Sequence, residues 1–155
     1  MAAEIERKFL VGDPPAEVLE CPSEQIDQGY LVSDGETEVR LRRRGPSCFI
    51  TVKKGHGEVR DETEVELTAE QFELLWPQTA GWRVEKRRHL VPLEAGLTAE
   101  VDVYAGRLKG LVTVEVEFPS LEAGRAFAAP GWFGEEVTGD VGYSNQRMAL
   151  RGLPR

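Results

Sequence analysis

The segment Val114-Glu115-Val116-Glu117-Phe118 alternates apolar and acidic residues with a period of two. Successive side chains of a β-strand point to opposite faces, so this pattern predicts a strand with one charged and one apolar face. Residues 100–103 repeat the alternation with two acids and two valines, and residues 39–42 repeat it with two arginines. We therefore expect a sheet whose two faces differ in their chemistry.

The same alternation continues along most of the chain and predicts eight strands. They are expected at residues 3–10, 25–33, 37–44, 47–54, 59–67, 82–92, 98–104 and 111–118. Turn-forming pairs such as Asp34-Gly35 and Gly45-Pro46 separate consecutive strands, which favours antiparallel hairpins. Eight strands suffice to close a barrel, so the expected fold is mainly β (α+β), an eight-stranded closed antiparallel β-barrel with a few covering helices.

Three short helices are expected outside this barrel. Thr68 and Gln71 have capping-box spacing ahead of an apolar stripe, which predicts a helix over 68–76 that Pro77 ends. Helices over 120–128 and 144–150 would cover apolar barrel wall. Because the 155 residues contain neither an internal repeat nor a flexible linker, residues 1–155 are predicted to form a single domain.

The composition narrows the choice of partners and compartment. A net charge of −8 argues against a nucleic-acid or acidic-membrane partner. No apolar stretch approaches the roughly 20 residues of a membrane span, and the first ten residues lack the apolar core of a signal peptide, so a cytoplasmic location is expected. Cys21 and Cys48 lack metal-type spacing and are expected to be reduced. The sequence leaves open a homodimer.

Basic and acidic residues are segregated along the chain. The stretch from Arg40 to Arg60 holds seven basic residues and one acid, and the acids collect elsewhere, notably at Glu100, Asp102, Glu115 and Glu117. A sheet with one solvated face would also alternate, but here almost every strand carries charges of one sign on that face. Closure would turn this face into a lumen, where unpaired charges are costly unless ligands neutralise them.

The two signs of charge match two kinds of ligand. Arginine and lysine rows suit phosphate oxygens, and clustered carboxylates suit hard cations such as Mg²⁺ or Mn²⁺. The G-x-x-x-x-G-K-[ST] motif does not occur in the sequence, so we do not expect a P-loop to hold the phosphate. A metal-bound polyphosphate would satisfy both sets of side chains together.

The segment Glu4-Ile5-Glu6-Arg7-Lys8 matches the ExExK signature of the CYTH superfamily, the triphosphate tunnel metalloenzymes. Segments that resemble this family follow in order, among them Val39-Arg40-Leu41-Arg42, Val84-Glu85-Lys86 and Glu100-Val101-Asp102-Val103. The resemblance covers essentially the whole chain and is close to the short bacterial inorganic triphosphatases. It implies an eight-stranded tunnel in which basic residues bind a triphosphate and acidic residues hold metal ions.

Carried over by position, the resemblance also implies the roles of individual residues. The expected phosphate-binding residues are Lys8, Arg40, Arg42, Lys53, Lys86 and Arg88. The expected ligands of Mg²⁺ or Mn²⁺ are Glu4, Glu6, Asp102, Glu115 and Glu117. The expected catalytic residues are Glu62, Glu64 and Lys86, with one of the two glutamates orienting the water. His89 is expected at the surface.

The activity that the resemblance implies is metal-dependent hydrolysis of a triphosphate, with inorganic tripolyphosphate as the expected substrate and ATP as a further candidate. The alternatives within the family are a class IV-type adenylate cyclase and a thiamine or nucleoside triphosphatase. A non-catalytic polyphosphate-binding module is a third alternative. The acidic residues argue against it, because arginine and lysine alone would serve pure anion binding better.

Overall fold

The structure, a computed structural model, describes residues 5–56 and 59–154. Its strands are β1 (Ile5–Leu10), β2 (Ser23–Ser33), β3 (Thr37–Arg44), β4 (Ser47–His56), β5 (Val59–Leu67), β6 (Arg83–Pro92), β7 (Thr98–Tyr104) and β8 (Val112–Phe118). Its helices are α1 (Ala16–Leu19), α2 (Ala69–Leu75), α3 (Leu121–Ala126) and α4 (Asn145–Arg151). The eight predicted strands are confirmed.

The strands form one sheet in the order β1-β8-β7-β6-β2-β3-β4-β5. Every neighbouring pair is antiparallel, which confirms the mainly β, eight-stranded antiparallel architecture. β1 and β5 are the two edges of the sheet, and no hydrogen-bonded pairing joins them within residues 5–56 and 59–154. Closure of the sheet into a barrel is therefore not seen as strand pairing in these two ranges.

The outer edge of β1 is covered by residues 134–138, which we call the edge segment. The Leu10 N–H donates to the Glu135 carbonyl at 2.8 Å, and the Val137 N–H donates to the Lys8 carbonyl at 2.8 Å. The Leu10 N–H and the Lys8 carbonyl already have hydrogen-bond partners in the edge segment, so they are not available to pair with β5. The edge segment thus takes the place that a closing strand would occupy along this half of β1.

Arg7 ties the edge segment to the sheet and to α3. Its guanidinium donates to both carboxylate oxygens of Glu136, at 2.9 and 2.7 Å, and to the carbonyls of Gly124 and Phe127, at 2.9 and 3.2 Å. Hydrogen bonds from Arg7 and then from Thr138 lower the pKa of the Glu136 carboxyl to about 2. One arginine on β1 therefore holds two later parts of the chain in place.

The three predicted helices are confirmed, and one further helix, α1, was not predicted. Thr68 and Gln71 form the predicted capping box, although a 3-10 turn continues the chain beyond α2 through Pro77. None of the described helices is long and apolar enough to cross a membrane. The surface position expected for His89 is wrong, because its side chain is buried and its Nδ1 lies 3.4 Å from the Cys21 carbonyl oxygen.

The apolar face of the sheet carries the main core. Phe9, Val101, Val114, Val116 and Phe133 belong to one cluster of buried side chains that spans β1, β7, β8 and the loop before the edge segment. Apolar burial contributes about 25 cal/mol per Å² removed from water, so this face supplies much of the driving force for folding. The opposite face of the same strands is thereby left for polar residues.

The close approach of the edge segment to β1 generates a prediction about stability. A Cβ atom added at Gly134 would lie 2.8 Å from the Leu10 carbonyl oxygen, whereas one added at Gly131 would meet no atom within 4 Å. We expect Gly134→Ala to destabilise the protein by about 1–3 kcal/mol, because backbone atoms must shift to admit the methyl group. Gly131→Ala is the matched control, and urea unfolding is the measurement. Equal stability of the two variants would contradict the described packing.

Candidate active site

The registers of the strands place the predicted site residues on one face of the sheet. Residues that lie opposite each other in antiparallel strands share a face. Lys8 faces Glu115, Arg88 faces Asp102, and further pairs continue through all eight strands. The predicted residues on this face, called the charged face, are Glu6, Lys8, Arg40, Arg42, Lys53, Glu62, Glu64, Lys86, Arg88, Asp102, Glu115 and Glu117. Glu4 lies outside the described residues.

Lys86, Arg88 and Asp102 form the buried centre of the charged face. Asp102 Oδ2 lies 2.8 Å from Lys86 Nζ and accepts a hydrogen bond from Arg88 Nη2 at 3.0 Å. Asp102 Oδ1 accepts from Arg88 Nε at 2.8 Å, and Arg88 Nη1 lies 2.6 Å from a Glu100 oxygen. Lys86 and Asp102 are only 1% and 2% exposed, so this ion cluster is shielded from water.

Burial and charge act in opposite directions on these groups. Burial lowers the pKa of Lys86 to about 8, although the Asp102 carboxylate opposes this change. Burial also raises the pKa of Asp102, but Lys86 and Arg88 outweigh this effect and bring the value to about 2. Asp102 is thus a carboxylate and Lys86 is mostly an ammonium ion at neutral pH.

Arg40 and Arg42 carry positive charge that the described residues do not neutralise. Arg42 Nε donates to Gln28 Oε1 at 2.8 Å, and Gln28 in turn donates to the Tyr30 hydroxyl at 2.6 Å. Burial, together with repulsion from Arg40 and Arg88, lowers the pKa of Arg42 to about 10. Within the described ranges neither Arg40 nor Arg42 has a carboxylate within 4.0 Å, and Arg40 Nε is buried without a hydrogen-bond partner. An anion bound between these strands would relieve this repulsion.

Carboxylates of the charged face concentrate on β1, β7 and β8, on the side of the buried centre away from Arg40 and Arg42. Glu115 faces Glu100 across β7 and β8, and Glu117 faces Glu6 across β8 and β1. Like charges directly opposite one another destabilise a sheet, and a divalent cation between them would remove that penalty. In the part of the chain that the structure describes, no three His, Cys, Asp or Glu side chains form a ready-made metal site.

The C-terminal segment covers one end of the charged face. Met148 and Ala149 of α4 pack against Tyr30, Val84 and Tyr104, which lie on that face by register. Ahead of α4, the chain lines a cleft of about 430 Å³ together with the side chains of β1 and β8. The charged face is therefore bounded on this side by protein.

Two polar contacts fix this segment against the charged face. Lys8 Nζ donates to the Tyr143 carbonyl at 2.7 Å and lies 3.6 Å from Glu115 Oε1. The Tyr104 hydroxyl donates to Asn145 Oδ1 at 2.9 Å. Sequence reasoning missed Tyr143 and Asn145, since nothing local marks a carbonyl or a helix amide as part of a site.

The predicted residues are not all brought together. Glu62 and Glu64 are exposed on the edge strand β5, with β2, β3 and β4 between them and Lys86. Glu64 accepts a hydrogen bond from Thr51 at 3.1 Å, and Lys53 lies 4.0 Å from Glu38. Gln28 and Tyr30 lie opposite Arg42 and Arg40 and were given no role. Their even spacing on β2 nevertheless indicated that they lie on the charged face.

An inorganic triphosphatase of Nitrosomonas europaea is 48% identical to this chain over 149 residues, which make up 95% of the chain and 97% of that protein. This chain belongs to the inorganic triphosphatase family. A second member, from Acetivibrio thermocellus, is 36% identical over 96% of the chain and 94% of that protein. The crystal structure of the inorganic triphosphatase NE1496 superposes with a TM-score of 0.84, at 45% identity over 99% of both chains. No protein-family model matches the sequence.

Family membership confirms the resemblance inferred from the ExExK segment. It also suggests tripolyphosphate as the ligand with which to test whether Arg40 and Arg42 bind an anion. We expect tripolyphosphate to stabilise the wild type by RT ln(1 + [L]/Kd), about 2.7 kcal/mol at a hundredfold excess over Kd. Arg42→Met should lose most of this gain, because the arginine lies on the charged face.

Arg43→Met is the matched control for this prediction. Arg43 lies on the opposite face, where its guanidinium pairs with Asp27 at 3.1 Å and Glu73 at 2.6 Å. Its loss should cost no more than about 1 kcal/mol of stability and leave the gain from tripolyphosphate intact. Thermal melts with and without the ligand measure both effects. An equal ligand-induced gain in the Arg42 and Arg43 variants would contradict binding on the charged face.

Proposed function

We propose that this protein hydrolyses inorganic tripolyphosphate on the charged face with the help of Mg²⁺ or Mn²⁺. The observation that carries the proposal is that unneutralised arginines and opposed carboxylates occupy the same face of one sheet, in a chain 48% identical to an inorganic triphosphatase. A metal-bound triphosphate neutralises both groups at once. Neither an anion alone nor a metal ion alone would do so.

The basic residues bind and stabilise the phosphate chain. Arg40, Arg42, Lys86 and Arg88 lie on β3 and β6, which are separated by β2 alone. Phosphoryl transfer spreads charge over the equatorial oxygens, so catalysis depends mainly on positioning and electrostatic stabilisation. Lys86 supplies an ammonium group in a buried position, where its charge acts on the reacting phosphate through a low dielectric. Lys8 and Lys53 extend the cationic surface on either side.

The carboxylates hold the metal ion. Glu6, Glu115 and Glu117, with Glu4, provide the oxygen ligands that Mg²⁺ and Mn²⁺ prefer. Magnesium is usually bound through one or two carboxylates together with substrate phosphates and water, so the absence of a three-carboxylate cluster in the described residues is compatible with this role. When bound, the metal would neutralise charge on the phosphate oxygens.

Glu62 and Glu64 are proposed to orient the attacking water. Their carboxylates lie on the charged face and are exposed, so they are accessible to solvent and to a bound triphosphate that reaches β5. A carboxylate that accepts a hydrogen bond from water can align it with the terminal phosphorus.

We place the reaction in the cytoplasm, since Cys21 and Cys48 are free thiols, as is usual in a reducing compartment.

A panel of substrates tests the proposed function. Phosphate release from tripolyphosphate should depend on Mg²⁺ or Mn²⁺ and stop when a chelator is added, and tripolyphosphate should be a better substrate than ATP or thiamine triphosphate. Cyclic AMP formation from ATP would instead indicate an adenylate cyclase. Tight binding of tripolyphosphate with no phosphate release in any metal would indicate a binding module and reject the proposal.

The metal ligands are tested by a charge-removing substitution. Glu6→Gln keeps nearly the same volume but weakens metal binding, so we expect at least a tenfold lower rate at limiting Mn²⁺ that partly recovers at high Mn²⁺. Glu122→Gln on α3 is the control, because Glu122 is exposed in a helix that packs on the outside of the sheet. If Glu6→Gln kept the wild-type dependence on metal concentration, Glu6 would not be a ligand.

A further inference from the structure

Asp102 is surrounded by cations. Three N–H donors, one from Lys86 and two from Arg88, lie within 3.0 Å of its two oxygens. The side chain is 2% exposed, so solvent does not share in this arrangement. A carboxylate offers about four lone-pair positions; Arg88 occupies one on each oxygen, and the Lys86 ammonium group lies beside Oδ2.

This environment does not suit a metal ligand. A divalent cation at Asp102 would enter a buried space next to two positive side chains, whose charges would repel it. Glu115 and Glu117 are in a different situation. Glu117 faces Glu6 across β1, and Glu115 faces Glu100 on one side and Lys8, at 3.6 Å, on the other. The metal role that the sequence resemblance implied fits these glutamates and does not fit Asp102.

The same contacts leave donors available on both cations. Arg88 uses Nε and Nη2 toward Asp102 and Nη1 toward Glu100, and a guanidinium has five N–H groups. Lys86 Nζ lies 2.8 Å from Asp102 Oδ2 without meeting the geometry of a hydrogen bond, so its N–H donors remain available. Lys86 also lies 5.5 Å from the centroid of the Tyr104 ring, which supports it from another side.

We propose that Asp102 is a positioning residue that orients Lys86 and Arg88 toward the triphosphate and does not bind the metal ion. The inference rests on the proposed function, because it assigns these two cations to phosphate binding. It separates the acids of the charged face into two groups. Glu6, Glu115 and Glu117 serve the metal, and Asp102 serves the phosphate through its two partners.

Asp102→Asn tests the inference directly. The substitution is nearly isosteric and keeps an oxygen that can accept from Arg88, and Tyr104 still supports Lys86, so the fold should persist. We expect a tenfold or greater loss of tripolyphosphate affinity, measured by calorimetry in metal-free buffer with chelator. The affinity for Mn²⁺ alone, measured by electron paramagnetic resonance, should change by less than twofold.

Asp27→Asn is the matched control. Asp27 lies on the opposite face and also binds an arginine, with its Oδ2 3.1 Å from Arg43 Nη2. This variant should change neither affinity. If Asp102→Asn weakened Mn²⁺ binding and left tripolyphosphate affinity unchanged, Asp102 would be a metal ligand and the inference would be overturned.

A double-mutant cycle shows whether Asp102 acts through its partners. In a Lys86→Met, Arg88→Met background, Asp102→Asn should lower tripolyphosphate affinity by less than twofold further. A full tenfold loss in that background would contradict a positioning role. Asp102→Glu, which keeps the charge but shifts the carboxylate, should bind tripolyphosphate with intermediate affinity.

Arg88→Lys provides a second route if Asp102→Asn does not fold. It keeps the charge of Arg88 but loses the planar fork that Asp102 holds, and it should weaken tripolyphosphate binding with unchanged Mn²⁺ binding. Equal tripolyphosphate affinity in the wild type and Arg88→Lys would overturn the inference while leaving the proposed function intact. A wild type that bound no tripolyphosphate would overturn both.

Discussion

The ion pair between Lys86 and Asp102 determines which cations of the charged face are left without a carboxylate partner. Lys86 is 1% exposed on a central strand, and its Nζ lies 2.8 Å from the Asp102 carboxylate. A buried ammonium without such a partner would cost several kcal/mol or lose its proton. With Asp102 committed to Lys86 and Arg88, Arg40 and Arg42 are left without a carboxylate within 4.0 Å in the described residues, and this surplus is the basis of the anion binding that we propose for this face.

The two faces of the sheet have opposite physical requirements. The outer face is apolar and packs against α3 and the loops of the C-terminal half, which provides the core that a charged face cannot provide. On the charged face, α4 adds a second apolar cluster at one end. The two apolar clusters therefore supply the stabilisation that the charged middle of the sheet does not supply.

The edges of the sheet explain why a strand pattern alone did not settle its closure. Arg7 and the edge segment cover the outer side of β1, where the backbone groups of Lys8 and Leu10 have hydrogen-bond partners. β5 is the other edge and carries Glu62 and Glu64, and charged side chains on an edge strand discourage pairing with other chains.

Local alternation was enough to predict the strands and the face of each site residue that the structure describes, since side-chain direction in a strand has a period of two. It could not predict which carboxylate sits closest to which cation. Glu117 and Asp102 both lie on the charged face, yet one faces another acid, Glu6, and the other is enclosed by Lys86 and Arg88.

Contacts between distant parts of the chain could also not be predicted from the sequence. The edge segment contacts β1 although the two are about 130 residues apart in the sequence, as in the hydrogen bond from the Lys8 N–H to Thr138 Oγ1. The buried His89 has its Nδ1 3.4 Å from a backbone carbonyl 68 residues away, at Cys21. Such contacts leave no periodic signal, because they follow from the path of the loops.

The most direct test of the account is a crystal structure with tripolyphosphate and Mn²⁺, with the metal located by anomalous scattering. The account predicts phosphate groups in contact with Arg40, Arg42, Lys86 and Arg88, and an anomalous peak between these phosphates and Glu6, Glu115 and Glu117. Tripolyphosphate bound on the apolar face, or an anomalous peak at Asp102 in place of the glutamates, would contradict it.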